Sequence, residues 1–321
     1  MNAKDLRIVF MGTPEFAVPS LKALIENGYN VVGVVTAPDR PAGRGLKLQE
    51  SEVKIAAREA GITTILQPEK LKDEAFVEAL RALRPDLGIV IAFRMLPEIV
   101  WAMPRFGTFN LHASLLPQYR GAAPINWAVI NGEKETGVTT FLLNHEIDKG
   151  AIIGQIRVPI GERDTVGTMY DKLMNIGTSL VLESVEKIAA GDIQPIEQPQ
   201  SNDNLHPASK IFKEDCLIDW HKSGREIIDF IRGLSPYPAA WTRLYKDGNE
   251  TGSAKIFSAH FEPKNNAGEI GRIITDGSAV FAVGCADGRV VVEEIQLAGK
   301  RRMPVHDLLL GFRNAEDFVM Q

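Results

Sequence analysis

The side chains that could do chemistry are concentrated where an apolar run passes into a loop, in the sequence F-N-L-H-A-S at 109–114. Asn110 and His112 are two positions apart, so on a strand their side chains lie on the same face. An amide and an imidazole on one face can both donate hydrogen bonds to a single oxygen, which is what a tetrahedral oxyanion requires. The pair therefore predicts a reactive centre, although a core histidine satisfied by a backbone carbonyl explains the same pattern.

A carboxylate follows in the polar turn H-E-I-D-K-G at 145–150. Asp148 in that turn can orient the imidazole and take up a proton, as acid–base work by histidine usually requires. His145 and Glu146 beside it raise the alternative of a metal site. One histidine without a second group of ligands is a weak metal signature, so we predict catalysis without a metal.

Two further signals exclude other kinds of chemistry. The turn G-T-P-E at 12–15 lacks the G-x-G-x-x-G spacing, and Pro14 removes a backbone donor that a pyrophosphate would use, which argues against a nicotinamide-dependent oxidoreductase. Cys216 and Cys285 have neither the spacing nor the histidine neighbours of a zinc site. We expect both to be free thiols, buried or half-exposed.

Apolar runs alternate with segments of helical spacing over the first two thirds of the chain. This alternation is typical of the α/β class with a Rossmann-like, doubly wound and mostly parallel sheet. Strands are predicted at 6–11, 31–36, 86–92, 108–111, 137–143 and 151–158, and helices at 16–25, 71–83, 124–131 and 165–189. Asn110 and His112 then stand at the carboxyl end of a parallel strand, where open α/β sheets bind their ligands.

The character of the sequence changes after residue 210. Short apolar runs separated by turn signals predict a small β-barrel or sandwich, with one helix before it at 224–233 and one near its end at 305–310. A polar stretch that contains Pro195 and Pro199 precedes this region and indicates a linker. The predicted domains are a catalytic domain at 1–192, a linker at 193–209 and a β-barrel domain at 210–321.

The composition is that of an ordinary globular protein, with 45% hydrophobic and 24% charged residues and a formal net charge of −5 over 321 residues. The apolar run at the N-terminus is too short for a signal or membrane segment, so we expect a cytoplasmic protein. No long apolar face is left over, which favours a monomer. Overall charge does not predict nucleic-acid binding, so a phosphate-binding face would have to come from local clusters.

Basic side chains are clustered at two places. The first cluster comprises Arg40, Arg44 and Lys47, and the second comprises Lys300, Arg301 and Arg302. Prolines and glycines surround the first cluster, so we expect an exposed loop at 37–49. Each cluster is either an ordinary solvated surface or a group of cations that meets the phosphates of a partner.

The motif N-x-H-x-S-L-L-P-x-Y-R-G-A-A-P at 110–124, with D-x-G at 148–150, resembles the formyltransferase family that uses 10-formyltetrahydrofolate. The opening F-M-G-T-P-E-F-A, the arm P-D-R-P-A-G-R-G-L-K-L and a β-rich C-terminal region are similar to those members of the family that act on methionyl-tRNA. The resemblance covers essentially the whole chain. Arg94 departs from it, since a glycine is common there.

This resemblance implies transfer of the formyl group from 10-formyltetrahydrofolate to the amino group of initiator methionyl-tRNA, in support of translation initiation, by direct attack of the amine. Asn110 and His112 would bind the formyl oxygen, and Asp148 would hold His112 and assist proton movement. The arm would meet the acceptor end of the tRNA, and an OB-like C-terminal barrel would contact it elsewhere. The folate site would be lined by Ser114, Leu115, Leu116 and Pro117.

Two alternatives remain open from the sequence. A formyltransferase with the same three residues could act on another amine, such as that of a sugar nucleotide or of glycinamide ribonucleotide. The arm and the C-terminal region argue against both acceptors. An RNA-binding module without chemistry would have the same fold class but would leave Asn110, His112 and Asp148 unexplained.

Overall fold

The computed structural model describes residues 2–42, 47–199, 201, 203–264 and 269–321. The chain divides into two compact units, each built from three segments. The first unit comprises Met1–Gly121, Thr136–Val158 and Tyr170–Pro207, and the second comprises Ala122–Glu135, Pro159–Met169 and Ala208–Gln321. The domain boundaries predicted from the sequence, at 192 and 210, stay a prediction.

The helices and strands follow one another in the alternation that the sequence predicts. The strands are β1 (Ile8–Gly12), β2 (Val31–Val35), β3 (Arg40–Ala42), β4 (Lys47–Gln49), β5 (Ile65–Leu66), β6 (Leu87–Ile91), β7 (Thr108–His112), β8 (Arg120–Gly121), β9 (Glu135–Leu142), β10 (Ile152–Pro159), β11 (Pro207–Ala208), β12 (Ala240–Lys246), β13 (Asn249–Pro263), β14 (Ile273–Thr275), β15 (Phe281–Cys285), β16 (Gly288–Leu297), β17 (Met303–Pro304) and β18 (Phe318–Met320). The helices are α1 (Val18–Glu26), α2 (Glu52–Glu59), α3 (Glu74–Ala82), α4 (Glu98–Trp101), α5 (Pro124–Ile130), α6 (Val166–Ala190), α7 (Gly224–Leu234) and α8 (Val305–Leu309).

The first unit is built on a seven-stranded sheet in the order β10-β9-β7-β6-β1-β2-β5. The pairs β1–β2, β1–β6, β2–β5 and β6–β7 are parallel, and β7–β9 is antiparallel. Every residue of β1 and β6 is buried, as expected for central strands that are covered on both faces. The predicted Rossmann-like, mostly parallel sheet is therefore confirmed.

The sequence predicts a loop at 37–49, but the structure has two short strands in this segment. β3 and β4 form an antiparallel hairpin outside the main sheet, in which Pro41 faces Leu48. A proline has no N–H for a ladder and is tolerated only where a strand has a free edge, as in such a two-stranded ribbon. The prediction of exposure holds for Arg40 and Leu48, whose side chains are exposed.

The second unit contains an antiparallel sheet in the order β14-β15-β16-β13-β12-β18, with β17 paired to β16. The sheet curls back on itself, because the N–H of Met320 donates to the carbonyl oxygen of Gly271 at 2.8 Å and Arg272 forms a bridge with Val319. This near closure protects the edge strands. The predicted barrel-like C-terminal region is thus confirmed.

Helix α7 begins at a capping box. The side chain of Ser223 accepts from the backbone of Glu226, and the side chain of Glu226 accepts from the backbone of Ser223. Within the same unit, α7 packs on α5, where Asn126 Nδ2 donates to the carbonyl oxygen of Gly233 at 2.8 Å. In the part of the chain that the structure describes, no helix has the length and apolar character needed to cross a membrane.

Candidate active site

The carboxyl ends of β1, β6 and β7 lie side by side at one edge of the first unit's sheet. The strand order changes direction at β1: the chain continues to β2 and β5 on one side of β1 and then returns to β6 on the other side. A Cβ at Gly12 would lie 2.8 Å from the Cβ of Ala17 and 3.1 Å from the carbonyl oxygen of Ile91, so only glycine allows this close approach. Ligands of open α/β sheets bind at such a point of reversal.

Asn110 stands in the middle of β7 with its side chain half-buried. Its Oδ1 atom is buried and has no hydrogen-bond partner among the described residues. An unpaired buried polar atom costs about 1–3 kcal/mol, so native proteins leave few of them without a purpose. The carboxamide of Asn110 is therefore a hydrogen-bonding group that a ligand can satisfy.

His112 ends β7 and is only 6% exposed. Its Nε2 lies 2.8 Å from the carbonyl oxygen of Tyr119. A carbonyl can only accept, so Nε2 carries a hydrogen and donates it. Nδ1 is then the nitrogen left for chemistry, as an acceptor in the neutral ring and as a donor in the imidazolium.

Asp148 lies close to that second nitrogen. Its Oδ2 is 3.9 Å from His112 Nδ1, which is too long for a hydrogen bond but short enough to stabilise a positive charge on the ring. The same Oδ2 accepts from the backbone N–H of Gly121 at 2.9 Å. The structure therefore brings Asp148 and His112 together, while the ring itself is oriented by Tyr119.

Two residues of the site have left-handed backbone conformations. Tyr119 has a φ of 60° and Asp148 a φ of 54°. Non-glycine residues rarely adopt this region, which surrounding contacts must enforce. Tyr119 is 4% exposed, stacks on the ring of His206 at 5.7 Å, and donates its N–H to the carbonyl oxygen of His206 at 2.7 Å.

Gln198 and Arg120 are parts of the site that sequence reasoning missed. Gln198 Oε1 accepts from Arg120 Nη2 at 2.8 Å, and Gln198 Nε2 donates to the carbonyl oxygen of Asp148 at 2.9 Å. Burial lowers the pKa of the Arg120 guanidinium, and the nearby carboxylates of Asp148 and Glu146 act in the opposite direction. Arg120 belongs to the motif already singled out, but the Q-P-Q sequence around Gln198 has no signal beyond that of a linker.

The segment expected to line the folate site follows β7 directly. Ser114 is fully buried and donates its hydroxyl to the carbonyl oxygen of Gln118 at 2.7 Å, and Leu116 is 3% exposed. Leu115 and Pro117 are half-buried. A ligand could therefore contact the side chains of Leu115 and Pro117, while the buried side chains of Ser114 and Leu116 hold the loop.

Arg94, where the sequence departs from the family pattern, is tied to a neighbouring loop. Its Nη1 donates to the carbonyl oxygen of Glu69 at 2.9 Å and its Nη2 donates to that of Pro68. Nearby Ala92 has a φ of 47°. The large cation thus connects the loop after β6 to the loop at 68–69.

The described members of the two basic clusters take no part in the hydrogen bonds given above. Arg40 is exposed in β3, Lys47 begins β4, and Arg44 lies outside the described residues. In the second cluster Arg302 donates to a carboxylate oxygen of Glu294 and stacks over the ring of Phe257, with its Cζ 4.2 Å from the ring centroid. Lys300 and Arg301, the other two members of that cluster, are exposed.

The second unit also has a groove of about 620 Å³ with a basic and aromatic lining. Lys210, Lys213 and Lys255 contribute to it, and Lys213 Nζ lies 5.7 Å from the ring centroid of Trp241. Cations placed over aromatic rings suit the backbone and bases of a nucleic acid. The groove is a second candidate binding surface of this unit.

The remaining predicted features concern metals and thiols. Among the described residues no group of three or more histidine, cysteine or acidic side chains could hold a metal ion. Cys216 and Cys285 are free and buried, as predicted. Burial raises the pKa of both thiols, so neither is an activated nucleophile.

Comparison with known families gives two matches that together span most of the chain. Residues 6–185 match the model described as formyl transferase, and residues 210–313 match the model described as formyl transferase, C-terminal domain. The first match contains the motif at 110–124 and the D-x-G at 148–150, which carry the resemblance.

Individual relatives that are named methionyl-tRNA formyltransferase are similar to this chain over its full length. The methionyl-tRNA formyltransferase of Bacteroides thetaiotaomicron is 56% identical over 100% of both chains, and that of Phocaeicola vulgatus is 58% identical over 99% of both. Among solved structures, HypX from Aquifex aeolicus in complex with tetrahydrofolic acid has a TM-score of 0.61 at 21% identity. That match covers 95% of this chain and 47% of HypX, so the chain spans about half of HypX, and at this identity it shows the fold alone.

Proposed function

The chain belongs to the formyl transferase family, and from that premise we propose that it transfers the formyl group of 10-formyltetrahydrofolate to the amino group of initiator methionyl-tRNA, supporting translation initiation. The observation that carries this function is the full-length similarity to relatives named methionyl-tRNA formyltransferase, 56% and 58% identical. The chemistry rests on Asn110, His112 and Asp148.

The amine of the acceptor is the nucleophile in this reaction. Its nitrogen attacks the formyl carbon, so that a carbon–nitrogen bond forms and the carbonyl oxygen becomes an oxyanion. The bond from the formyl carbon to N10 then breaks, the acceptor nitrogen loses a proton and N10 gains one. The protein has to stabilise the oxyanion and move the proton, and neither step needs a metal or a nucleophilic side chain.

We assign oxyanion stabilisation to Asn110 and His112 together. The NH₂ of the Asn110 carboxamide would donate to the oxyanion, and its buried Oδ1, which lacks a partner among the described residues, would accept from an N–H of the substrate amine. His112 presents Nδ1, because its Nε2 is occupied by Tyr119. Nδ1 takes the proton of the attacking amine and, once protonated, donates to the oxyanion.

Asp148 supports His112 electrostatically in this proposal. Its carboxylate, 3.9 Å from Nδ1, stabilises the imidazolium that forms when the amine is deprotonated. An approach to hydrogen-bond distance would follow substrate binding, since catalytic hydrogen bonds are often long before the substrate is present. The folate would contact the half-buried side chains of Leu115 and Pro117, with Ser114 and Leu116 shaping the loop behind them.

Binding of the tRNA is assigned to the basic surfaces. The segment at 37–49, whose sequence contains Arg40, Arg44 and Lys47, would meet the acceptor end. In the second unit the phosphates would be met by Lys300, Arg301 and Arg302 and by the groove that contains Lys210 and Lys213. The exposure of Arg40, Lys300 and Arg301 supports this assignment.

We propose that the protein is a monomer in the cytoplasm, where translation initiates, and that a single chain binds both the formyl donor and the acceptor. The domains would correspond to a formyltransferase domain at 1–192, a linker at 193–209 and an OB-like tRNA-binding domain at 210–321. The two family matches, which end at 185 and begin at 210, support this division.

The test is a formylation assay with 10-formyltetrahydrofolate and initiator methionyl-tRNA, run for the wild type and for His112→Ala. We expect formyl-methionine on the initiator and not on elongator methionyl-tRNA or a free amine. Loss of the histidine should slow the reaction by about 100- to 10,000-fold, the usual contribution of a positioned acid–base group. A folded wild type that formylates a sugar-nucleotide amine instead would overturn the tRNA acceptor and keep the chemistry.

A further inference from the structure

The side chain of Gln198 joins the two loops that carry the candidate active site. Its Oε1 accepts from Arg120 Nη2 at 2.8 Å and from Arg120 Nε at 3.2 Å. Its Nε2 donates to the carbonyl oxygens of Asp148 at 2.9 Å and Gly150 at 2.8 Å. Every donor and acceptor position of the amide is thus occupied, and Gln198 is only 4% exposed.

The Asp148 loop is one that needs such support. Asp148 has a φ of 54°, a conformation that persists only where neighbouring contacts enforce it. The amide of Gln198 binds the carbonyl oxygens on both sides of Lys149, namely those of Asp148 and Gly150. Both carbonyls are therefore fixed by a single side chain.

Gln198 holds the opposite loop as well. Arg120, which it binds, precedes Gly121, whose N–H donates to Asp148 Oδ2 at 2.9 Å. Arg120 also follows Tyr119, whose carbonyl oxygen orients the ring of His112. A displacement of Arg120 would therefore disturb the partners of both Asp148 and His112.

The segment that carries Gln198 is itself tied to the sheet. Ile196 and Ile152 exchange two backbone hydrogen bonds, of 2.8 and 2.9 Å, so residue 196 extends the sheet beyond the edge of β10. The amide of Gln198 consequently reaches the loops from a fixed backbone. The sequence alone predicts only a linker over this stretch, with no role in catalysis.

From these contacts we propose that Gln198 is a positioning residue for formyl transfer: it holds the carboxylate of Asp148 in place beside His112. This inference rests on the proposed function and deepens it. Its side chain contacts Arg120 and the carbonyl oxygens of the Asp148 loop, so its effect on the reaction passes through Asp148.

Kinetics of Gln198→Met provide the first test, because methionine keeps the length of the side chain and removes its hydrogen bonds. We expect kcat to fall about tenfold or more, as two hydrogen bonds to the Asp148 loop are removed, with KM for both substrates within about twofold. Gln198→Glu keeps the acceptor for Arg120 but has no donors for the loop, so its kcat should also fall. A kcat for either variant equal to that of the wild type would overturn the proposal.

A double-mutant cycle separates positioning from a general loss of stability. In an Asp148→Asn background Gln198→Met should lower kcat by less than about twofold further, because the carboxylate to be positioned is gone. Fully multiplicative losses would overturn the proposal. Ser184→Ala is the stability control, since it removes a buried hydrogen bond of 2.8 Å to Thr140 without touching either loop.

Amide hydrogen exchange provides a readout that does not depend on the activity. The N–H of Gly121 is protected by Asp148 Oδ2, so its exchange should speed up about tenfold or more in Gln198→Met and in Asp148→Ala, which removes the acceptor, and stay unchanged in Ser184→Ala. Unchanged protection in Gln198→Met would overturn the positioning role. An inactive wild type with these same exchange rates would instead contradict the proposed function and leave the contact with Asp148 established.

Discussion

The imidazole of His112 is oriented by a main-chain carbonyl and not by a carboxylate. The carbonyl oxygen of Tyr119, at 2.8 Å from Nε2, sets which nitrogen carries the hydrogen. A carbonyl oxygen can only accept, so whenever the ring is neutral it has the tautomer with the hydrogen on Nε2. The carboxylate of Asp148 is then free to respond to charge on the ring.

Asn110→Ala should show how much the carboxamide contributes to the reaction. Removing one oxyanion donor from a comparable site lowers kcat by about 100- to 1,000-fold, and we expect a decrease in this range. Steady-state kinetics with initiator methionyl-tRNA measure it, with circular dichroism as a check on folding. Asn27→Ala is the matched control, because Asn27 Nδ2 donates to the carbonyl oxygen of Ala23 on an exposed helix end. Equal kcat for both variants would contradict the role of Asn110.

The two thiols should react slowly in the folded protein. Burial raises the pKa of Cys216 and Cys285, so the reactive thiolate is scarcer near pH 8 than for a free cysteine, and access is blocked as well. Labelling with a disulfide reagent should be slow in buffer and complete within the mixing time in denaturant. Rapid labelling of either thiol in buffer would show that the surrounding barrel opens readily.

The turn between β9 and β10 requires a glycine. A Cβ at Gly150 would lie 1.6 Å from the carbonyl oxygen of Leu142, so Gly150→Ala forces the turn, and with it Asp148, to move. We expect a lower melting temperature together with a lower kcat. Gly252→Ala is the matched control, since a Cβ there meets nothing within 4 Å. If Gly150→Ala has the stability and the kcat of Gly252→Ala, the turn does not depend on this close approach.

The elements of the first unit could be predicted because their signals are local. Five-residue apolar runs such as Ile8–Gly12 and Leu87–Ile91 stand out in the sequence, and a strand end with Asn110 and His112 is visible as spacing alone. The strands β3 and β4 are not predictable in this way, because they have only three residues each and the prolines and glycines of the segment at 37–49 are typical of a loop. Gln198 is hidden as well, because its partners are 48 to 78 residues away, and no local pattern encodes contacts over that separation.

Binding of tRNA by the whole molecule should depend on salt through the exposed cations of the second unit. Neutralising Lys300 and Arg301 together should reduce the slope of log affinity against log salt by about one for each phosphate that is no longer bound. Arg302→Gln should change the slope less, because Arg302 is paired with Glu294. Lys187→Gln, at an ion pair with Glu183 on α6, is the control. An unchanged slope for the double variant would remove this run from the tRNA surface.

The packing of α5 on α7 has a consequence for synthesis of the chain on the ribosome. Helix α5 ends at Ile130 and its partner α7 begins at Gly224, so about ninety residues must be added before the two can meet. At roughly 5–20 residues per second the face of α5 that meets α7, which includes Ile130, waits at least several seconds without that cover. During this interval the nascent chain exposes an apolar helix face, the kind of surface through which incomplete chains aggregate.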